Sequence, residues 1–170
     1  AGVVGGQALQ IEGLPIWMAG ADLDGDGDED LVSGRSNANE TNLYRNDGSG
    51  GFSMAGTLNV GADALAVAVG DLNGDNIPDI AVSRPSTPEI VVGYADAQLG
   101  FTWWQELTLP GGVTPFHLVI GDANRDNSND LVVADTGFSR LVIYDGPSKP
   151  GLGCELFELS VSRTPSAVTL

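Results

Sequence analysis

The chain is short of the residues that most catalytic and nucleic-acid-binding sites use. Among 170 residues there is one cysteine, Cys154, and one histidine, His117. A lone thiol closes no internal disulfide, and no Cys/His spacing suits zinc. Cys154 reads as a small buried hydrophobe, with pairing outside the chain as the alternative. Only seven lysines and arginines stand against 23 acids, a formal net charge of -16. Such a surface repels phosphate backbones and anionic bilayers, so nucleic acid is not an expected partner. No run approaches the roughly 18 apolar residues of a membrane span, so no direct membrane insertion is expected. Ala1-Gly2-Val3-Val4 shows no leader pattern and reads as mature or trimmed chain. No Cys-His or Ser-His-Asp set can be assembled. Glu12, Glu89, Glu106 and Glu155 offer acid/base groups, but no spacing pairs them. No catalytic residue is named, and the chain is not expected to be an enzyme by itself.

What the chain has is aspartate, in three nine-residue loops. They read Asp22-Leu23-Asp24-Gly25-Asp26-Gly27-Asp28-Glu29-Asp30, Asp71-Leu72-Asn73-Gly74-Asp75-Asn76-Ile77-Pro78-Asp79, and Asp122-Ala123-Asn124-Arg125-Asp126-Asn127-Ser128-Asn129-Asp130. Their starts lie 49 and 51 residues apart, and twelve of the 23 acids fall within them. Each loop carries oxygen side chains at positions 1, 3, 5 and 9. That is the donor chemistry of a hard cation such as Ca²⁺, which takes 6–8 oxygens. Turn formation alone would also use Asp, Asn and Gly. Three loops in register, and aspartates crowded enough to repel without a cation, favour metal. Three Ca²⁺ would move the charge to about -10. EF-hands require Glu at position 12 and flanking helices; here position 12 is Ser33, Val82 or Val133, and the flanks read as strands.

A period near 50 residues points to an array or a propeller. Before the loops come Pro15–Gly20, Ala64–Val69 and Pro115–Ile120; after them come Leu31-Val32, Ile80–Val82 and Leu131–Val133. A third strand follows at Asn42–Tyr44, Glu89–Val92 and Arg140–Tyr144. A fourth begins near Phe52, Phe101 and Cys154. Four short antiparallel strands make one propeller blade, and no helix is expected. The expected fold is therefore all-β, with blades over 13–61, 62–112 and 113–162. Residues 1–12 read as the outer strand of a preceding blade and 163–170 as the first strand of a following one. Both ends look cut from a longer array. Closed propellers need typically 4–8 blades, so missing chain or other copies are expected to supply the remainder.

These residues resemble the FG-GAP and VCBS repeats, the blades of integrin α-subunit-like propellers. The carriers are Gly70-Asp71-Leu72-Asn73-Gly74-Asp75 with Asp79-Ile80-Ala81-Val82, their two relatives, and Asn42-Leu43-Tyr44-Arg45-Asn46-Asp47-Gly48-Ser49-Gly50-Gly51-Phe52. The resemblance implies side-chain ligands at positions 1, 3, 5 and 9 and a backbone carbonyl at position 7. Those are Asp22, Asp24, Asp26, Asp30 and the Asp28 carbonyl; Asp71, Asn73, Asp75, Asp79 and the Ile77 carbonyl; and Asp122, Asn124, Asp126, Asp130 and the Ser128 carbonyl. Position 6 is Gly27 in the first loop but Asn76 and Asn127 in the others, and Asn tolerates the left-handed region less well than Gly. Arg125 places a cation beside the third site. Asn at position 3 removes a charge, so the expected affinity order is loop one, then two, then three.

The expected function is a Ca²⁺-binding, extracellular (secreted or cell-surface) propeller segment serving recognition or adhesion toward a protein or carbohydrate. The ion is structural, one per loop. The alternatives are a propeller module of a secreted polysaccharide-degrading or other hydrolytic enzyme, and a surface-layer or filament component. Trp103-Trp104 are the weak candidates for ligand stacking, with one ring expected between blades. Trp17 reads as blade packing and His117 as structural or channel-facing. Asn39-Glu40-Thr41 fits the N-glycosylation pattern in what reads as a polar turn.

Overall fold

The fold is a computed structural model that describes residues 8–11, 13–35, 38–61, 63–96, 100–109, 111, 114–146 and 156–160. Twelve strands form three four-stranded antiparallel sheets, each in chain order, and no helix occurs among the described residues. The first sheet holds β1 (Pro15–Ala21), β2 (Asp30–Arg35), β3 (Glu40–Asn46) and β4 (Phe52–Asn59). The second holds β5 (Val67–Gly70), β6 (Asp79–Arg84), β7 (Glu89–Ala95) and β8 (Phe101–Thr108). The third holds β9 (Pro115–Gly121), β10 (Asp130–Asp135), β11 (Arg140–Tyr144) and β12 (Leu156–Ser160). This is the up-and-down meander of propeller blades, as the repeat predicts.

The sheets pack face to face, and the period-2 alternation of their strands decides which residue meets which neighbour. β6 shows this most directly, being buried along its whole length. Its Ile80 and Val82 enter a core with Leu23, Val32 and Val60 of the first blade and Ala64 of their own. Its Ala81 faces the opposite core, with Leu118, Leu131, Val133 and Val142 of the third blade. A strand buried on both faces reads as a continuous apolar run rather than an alternating one, which describes Ile80-Ala81-Val82. Ile80, Val82, Ile90 and Val92 are all fully buried, and each contributes roughly 1.5–3 kcal/mol. Gly70 lets the inner strands close up: a Cβ there would sit 2.6 Å from Ile120 Cγ2.

The inner strands converge. Trp17 of β1 reaches past the second blade to the third, its ring 4.6 Å from His117 and edge-on to Phe116 at 6.3 Å. It also packs against the core between blades two and three, so it fills space between blades as expected. Burial holds the His117 imidazole below its ordinary pKa.

Two expectations need correction, and others fall outside the described residues. The strand expected over Ala64–Val69 begins at Val67. Ahead of it, Ser83 Oγ accepts the Ala66 N–H at 2.9 Å, and Ala64 bridges instead to Arg35 of the first blade. The Asn39-Glu40-Thr41 triplet is not wholly in a turn: Asn39 is exposed at a bend, but Glu40 and Thr41 belong to β3 and Thr41 is fully buried. Of the strand expected over 1–12, Ala8 to Ile11 are described and form none. Residues 163–170, Cys154, Glu12 and Glu155 lie outside the described residues.

Candidate metal centre

Each loop joins the first two strands of its blade, and position 9 is the first residue of the second strand. The three loops share one hydrogen-bond pattern. The position-1 aspartate accepts the backbone N–H groups of positions 4, 5 and 6. Asp22 takes those of Gly25 (2.7 Å), Asp26 (3.1 Å) and Gly27 (3.0 Å). Asp71 takes those of Gly74, Asp75 and Asn76 at 2.7, 3.2 and 2.8 Å. Asp122 takes those of Arg125, Asp126 and Asn127 at 2.6, 3.1 and 3.1 Å. Position 3 accepts the N–H of position 5, through Asp24, Asn73 and Asn124. Position 5 accepts that of position 7: Asp26 from Asp28, Asp75 from Ile77 and Asp126 from Ser128. These bonds curl the backbone of each loop, and in the first the acidic oxygens of Asp22, Asp24 and Asp30 converge.

Such a curl needs left-handed residues at two places. At position 6 they are Gly27 (φ 97°), Asn76 (φ 65°) and Asn127 (φ 70°). At position 4 they are Gly25 (φ 75°), Gly74 (φ 80°) and Arg125 (φ 68°). Sequence reading marked Arg125 only as a charge. Its backbone role is the larger one, and the glycines of the other two loops were the signal for it.

Position 9 does something its spacing did not announce. Asp30, Asp79 and Asp130 are 3%, 0% and 0% exposed. Each spends one oxygen on the position-2 N–H: Leu23 at 3.1 Å, Leu72 at 2.8 Å, Ala123 at 2.9 Å. Each spends the other on an N–H sixteen residues later, at the end of the third strand or, in the third blade, two residues past it: Asn46 at 2.8 Å, Ala95 at 3.0 Å, Gly146 at 3.0 Å. The residue thus ties three segments of its blade together. For Asp79, burial pushes the carboxyl up to about 6, against the pull of these two N–H donors.

The donor set fits a hard cation. In the first loop, carboxylate oxygens of Asp22, Asp24 and Asp30 lie within 4.8 Å of one another. A guanidinium already approaches the set as a stand-in cation, with Arg45 Nη2 2.6 Å from Asp24 Oδ2. Oxygen-only donors of mixed carboxylate and carbonyl type suit Ca²⁺ better than zinc or copper. The loops of successive blades lie on one rim and share grooves: Asp22 to Gly25 with Asn76 to Pro78, and Asp71 to Gly74 with Asn127 to Asn129. Asn129 Nδ2 donates across the second groove to the Asp71 carbonyl at 2.9 Å.

The remaining candidates do not join this rim's donor set. Trp104 lies on Gly93, where a Cβ would stand 2.6 Å from the indole, and packs with Phe101 in the core between blades one and two. That is the packing role expected of one member of the pair. The side chain of Trp103 lies outside the described set; its backbone pairs with Tyr94. Glu89 and Glu106 converge on Arg84, 2.9 and 2.7 Å from its Nη2, and Arg84 also donates to the Val60 carbonyl at 2.9 Å. Those carboxylates serve a mostly buried cation.

Fold and loops together define a protein built of β-propeller blades with an acidic hairpin loop at the inner bend of each. Residues 22–82, which span the first loop, the rest of its blade, the second loop and the strand β6 up to Val82, match the family model of the FG-GAP-like repeat and are identified as such a repeat. The third loop lies beyond the matched residues and keeps the same hydrogen bonds. Among curated proteins none matches the chain.

Proposed function

We propose that this chain is a Ca²⁺-binding segment of an extracellular β-propeller that serves recognition or adhesion. The ion is structural, one in each loop. The observation that carries this reading is the threefold repetition of one hydrogen-bonded oxygen-rich loop, with the carboxylate oxygens of Asp22, Asp24 and Asp30 in the first already within 4.8 Å of one another. The ligands would be Asp22, Asp24, Asp26, Asp30 and the Asp28 carbonyl; Asp71, Asn73, Asp75, Asp79 and the Ile77 carbonyl; and Asp122, Asn124, Asp126, Asp130 and the Ser128 carbonyl. A bound Ca²⁺ neutralises carboxylates that otherwise repel, and it joins the first strand's end to the second strand's start. Position 9 is held in place by backbone donors before any ion arrives, so part of the site is preorganised.

Extracellular Ca²⁺ near millimolar fills even weak sites, which suits an outside location, and FG-GAP-like repeats are commonly extracellular. The rim of adjacent loops and grooves offers a protein or carbohydrate partner a polar, oxygen-rich surface. Chelation tests the metal reading. Excess chelator should lower the melting temperature by several degrees, and added Ca²⁺, but not added Na⁺ of equal ionic strength, should restore it. An unchanged melt in chelator would defeat the proposal.

A further inference from the structure

The three blades differ at a position that lies far from the loop in sequence and next to it in space. Fifteen residues after the position-9 aspartates stand Arg45, Tyr94 and Asp145. In the first blade Arg45 Nη2 lies 2.6 Å from Asp24 Oδ2, the position-3 ligand, whose side chain is only 8% exposed. In the third blade Asp145 Oδ1 accepts from Asn124 Nδ2 at 2.8 Å, and Asn124 is again position 3. In the second blade Tyr94 donates its hydroxyl to Gln105 Oε1 at 3.0 Å, on the neighbouring strand. The charges are therefore exchanged between blades one and three. Asp at position 3 meets a cation from the strand end, and Asn at position 3 meets an anion.

We propose that this strand-end residue sets the Ca²⁺ affinity of its loop. Arg45 holds one oxygen of Asp24 and must yield it, or share it, when an ion enters the first loop. Asp145 brings to the third loop the carboxylate that Asn124 does not supply. Judged by position 3 alone, the first loop leads and the third trails. With the strand end included, the third loop binds more tightly than the first. Arg125 does not reverse this order: among the described residues it makes no ion pair with a loop carboxylate, whereas Arg45 lies directly against Asp24, and solvent screens an exposed charge that has no such contact. One unit charge beside a divalent ion at a solvated rim changes affinity by about tenfold. The proposal rests on the Ca²⁺ reading above, and the test separates the two.

The test is a Ca²⁺ titration of the whole chain followed by amide nitrogen-15 NMR. The position-6 amides of Gly27, Asn76 and Asn127 report the three loops separately, and the same spectra show whether each variant is folded. Arg45→Gln is expected to tighten the first loop by about tenfold, and Arg45→Lys to leave it within about twofold of the parent. Asp145→Ala is expected to loosen the third loop by about tenfold, Asp145→Glu to restore most of that loss, and the other two loops to stay as they were. If all three loops titrate but neither Arg45→Gln nor Asp145→Ala moves its own loop beyond twofold, the strand-end inference is overturned and the Ca²⁺ reading stands. If no position-6 amide responds up to about 10 mM Ca²⁺, both are overturned.

Discussion

Asp130→Ala separates the two duties assigned to the position-9 aspartate, which anchors the backbone and offers a ligand. Asp130 is fully buried and accepts the N–H groups of Ala123 (2.9 Å) and Gly146 (3.0 Å), with a weaker third from Asn124 at 3.2 Å. The Gly146 bond is buried and the Ala123 bond partly so. Alanine leaves those two donors without a protein acceptor, at about 1–3 kcal/mol each where water cannot reach. The expected loss is therefore about 2–6 kcal/mol, and it persists in excess chelator because it needs no metal. Asp126→Ala is the control. Asp126 is exposed, and the Ser128 N–H it accepts at 2.8 Å is exposed too, so water substitutes and the cost in chelator stays below about 1 kcal/mol. With Ca²⁺ present both variants lose the third site, and the gap between them should remain. Urea unfolding followed by far-ultraviolet circular dichroism, with and without chelator, gives all four numbers. Equal costs for the two variants in chelator, or a cost under about 1 kcal/mol for Asp130→Ala, would refute the anchoring role.

Arg125→Gly removes a bulky residue from φ 68°. The left-handed strain relieved, about 1–2 kcal/mol, exceeds the backbone entropy that glycine adds, so a gain of about 0.5–1 kcal/mol is expected in chelator; a lower urea midpoint would contradict it. In chelator the Asp79 carboxyl should titrate near pH 6, as read by its carboxyl carbon-13 shift. Its folded value lies above the 3.8 of an ordinary Asp, so between about pH 4 and 6 the folded chain keeps a proton that the unfolded chain has released. Asp79's contribution to stability therefore falls as pH rises through that window, by about 3 kcal/mol in all; a midpoint near 4 would sink this. Arg84→Met should cost about 2–4 kcal/mol, because Glu89, Glu106 and the Val60 carbonyl all lose their cation; an unchanged urea midpoint would show that the cluster contributes nothing.

The blades were legible because two short-range rules coincide in every repeat. Strand residues alternate or run apolar according to how many faces are buried, and the acidic loop has fixed internal spacing. Ile80-Ala81-Val82 and Leu131-Val132-Val133 could therefore be read from the sequence as the strands that follow their loops. What stayed hidden depends on chain segments that meet only after folding. The donors that saturate Asp30, Asp79 and Asp130 include an amide sixteen residues away, and its arrival depends on strand pairing. The opposed pairs Asp24–Arg45 and Asn124–Asp145 are hidden for the same reason. Ahead of β5 the pairing with β6 turns irregular: Ser83 Oγ takes the Ala66 N–H while the Ser83 backbone bonds to Leu65 and Ala66, and Ala64 bridges to Arg35 of the first blade. The left-handed backbone at Arg125 was within reach of comparison, since Gly25 and Gly74 occupy its place in the other loops.

The most direct measurement of the central claim is an anomalous difference map from crystals grown in about 2 mM Ca²⁺, collected where calcium scatters anomalously. Three peaks should appear, one per loop, each with oxygens of positions 1, 3, 5, 7 and 9 at about 2.3–2.6 Å. Loops that keep the same curled backbone yet show no peak would mean that the hydrogen bonds of Asp22, Asp71 and Asp122 suffice to hold them, and that calcium has no part in this fold.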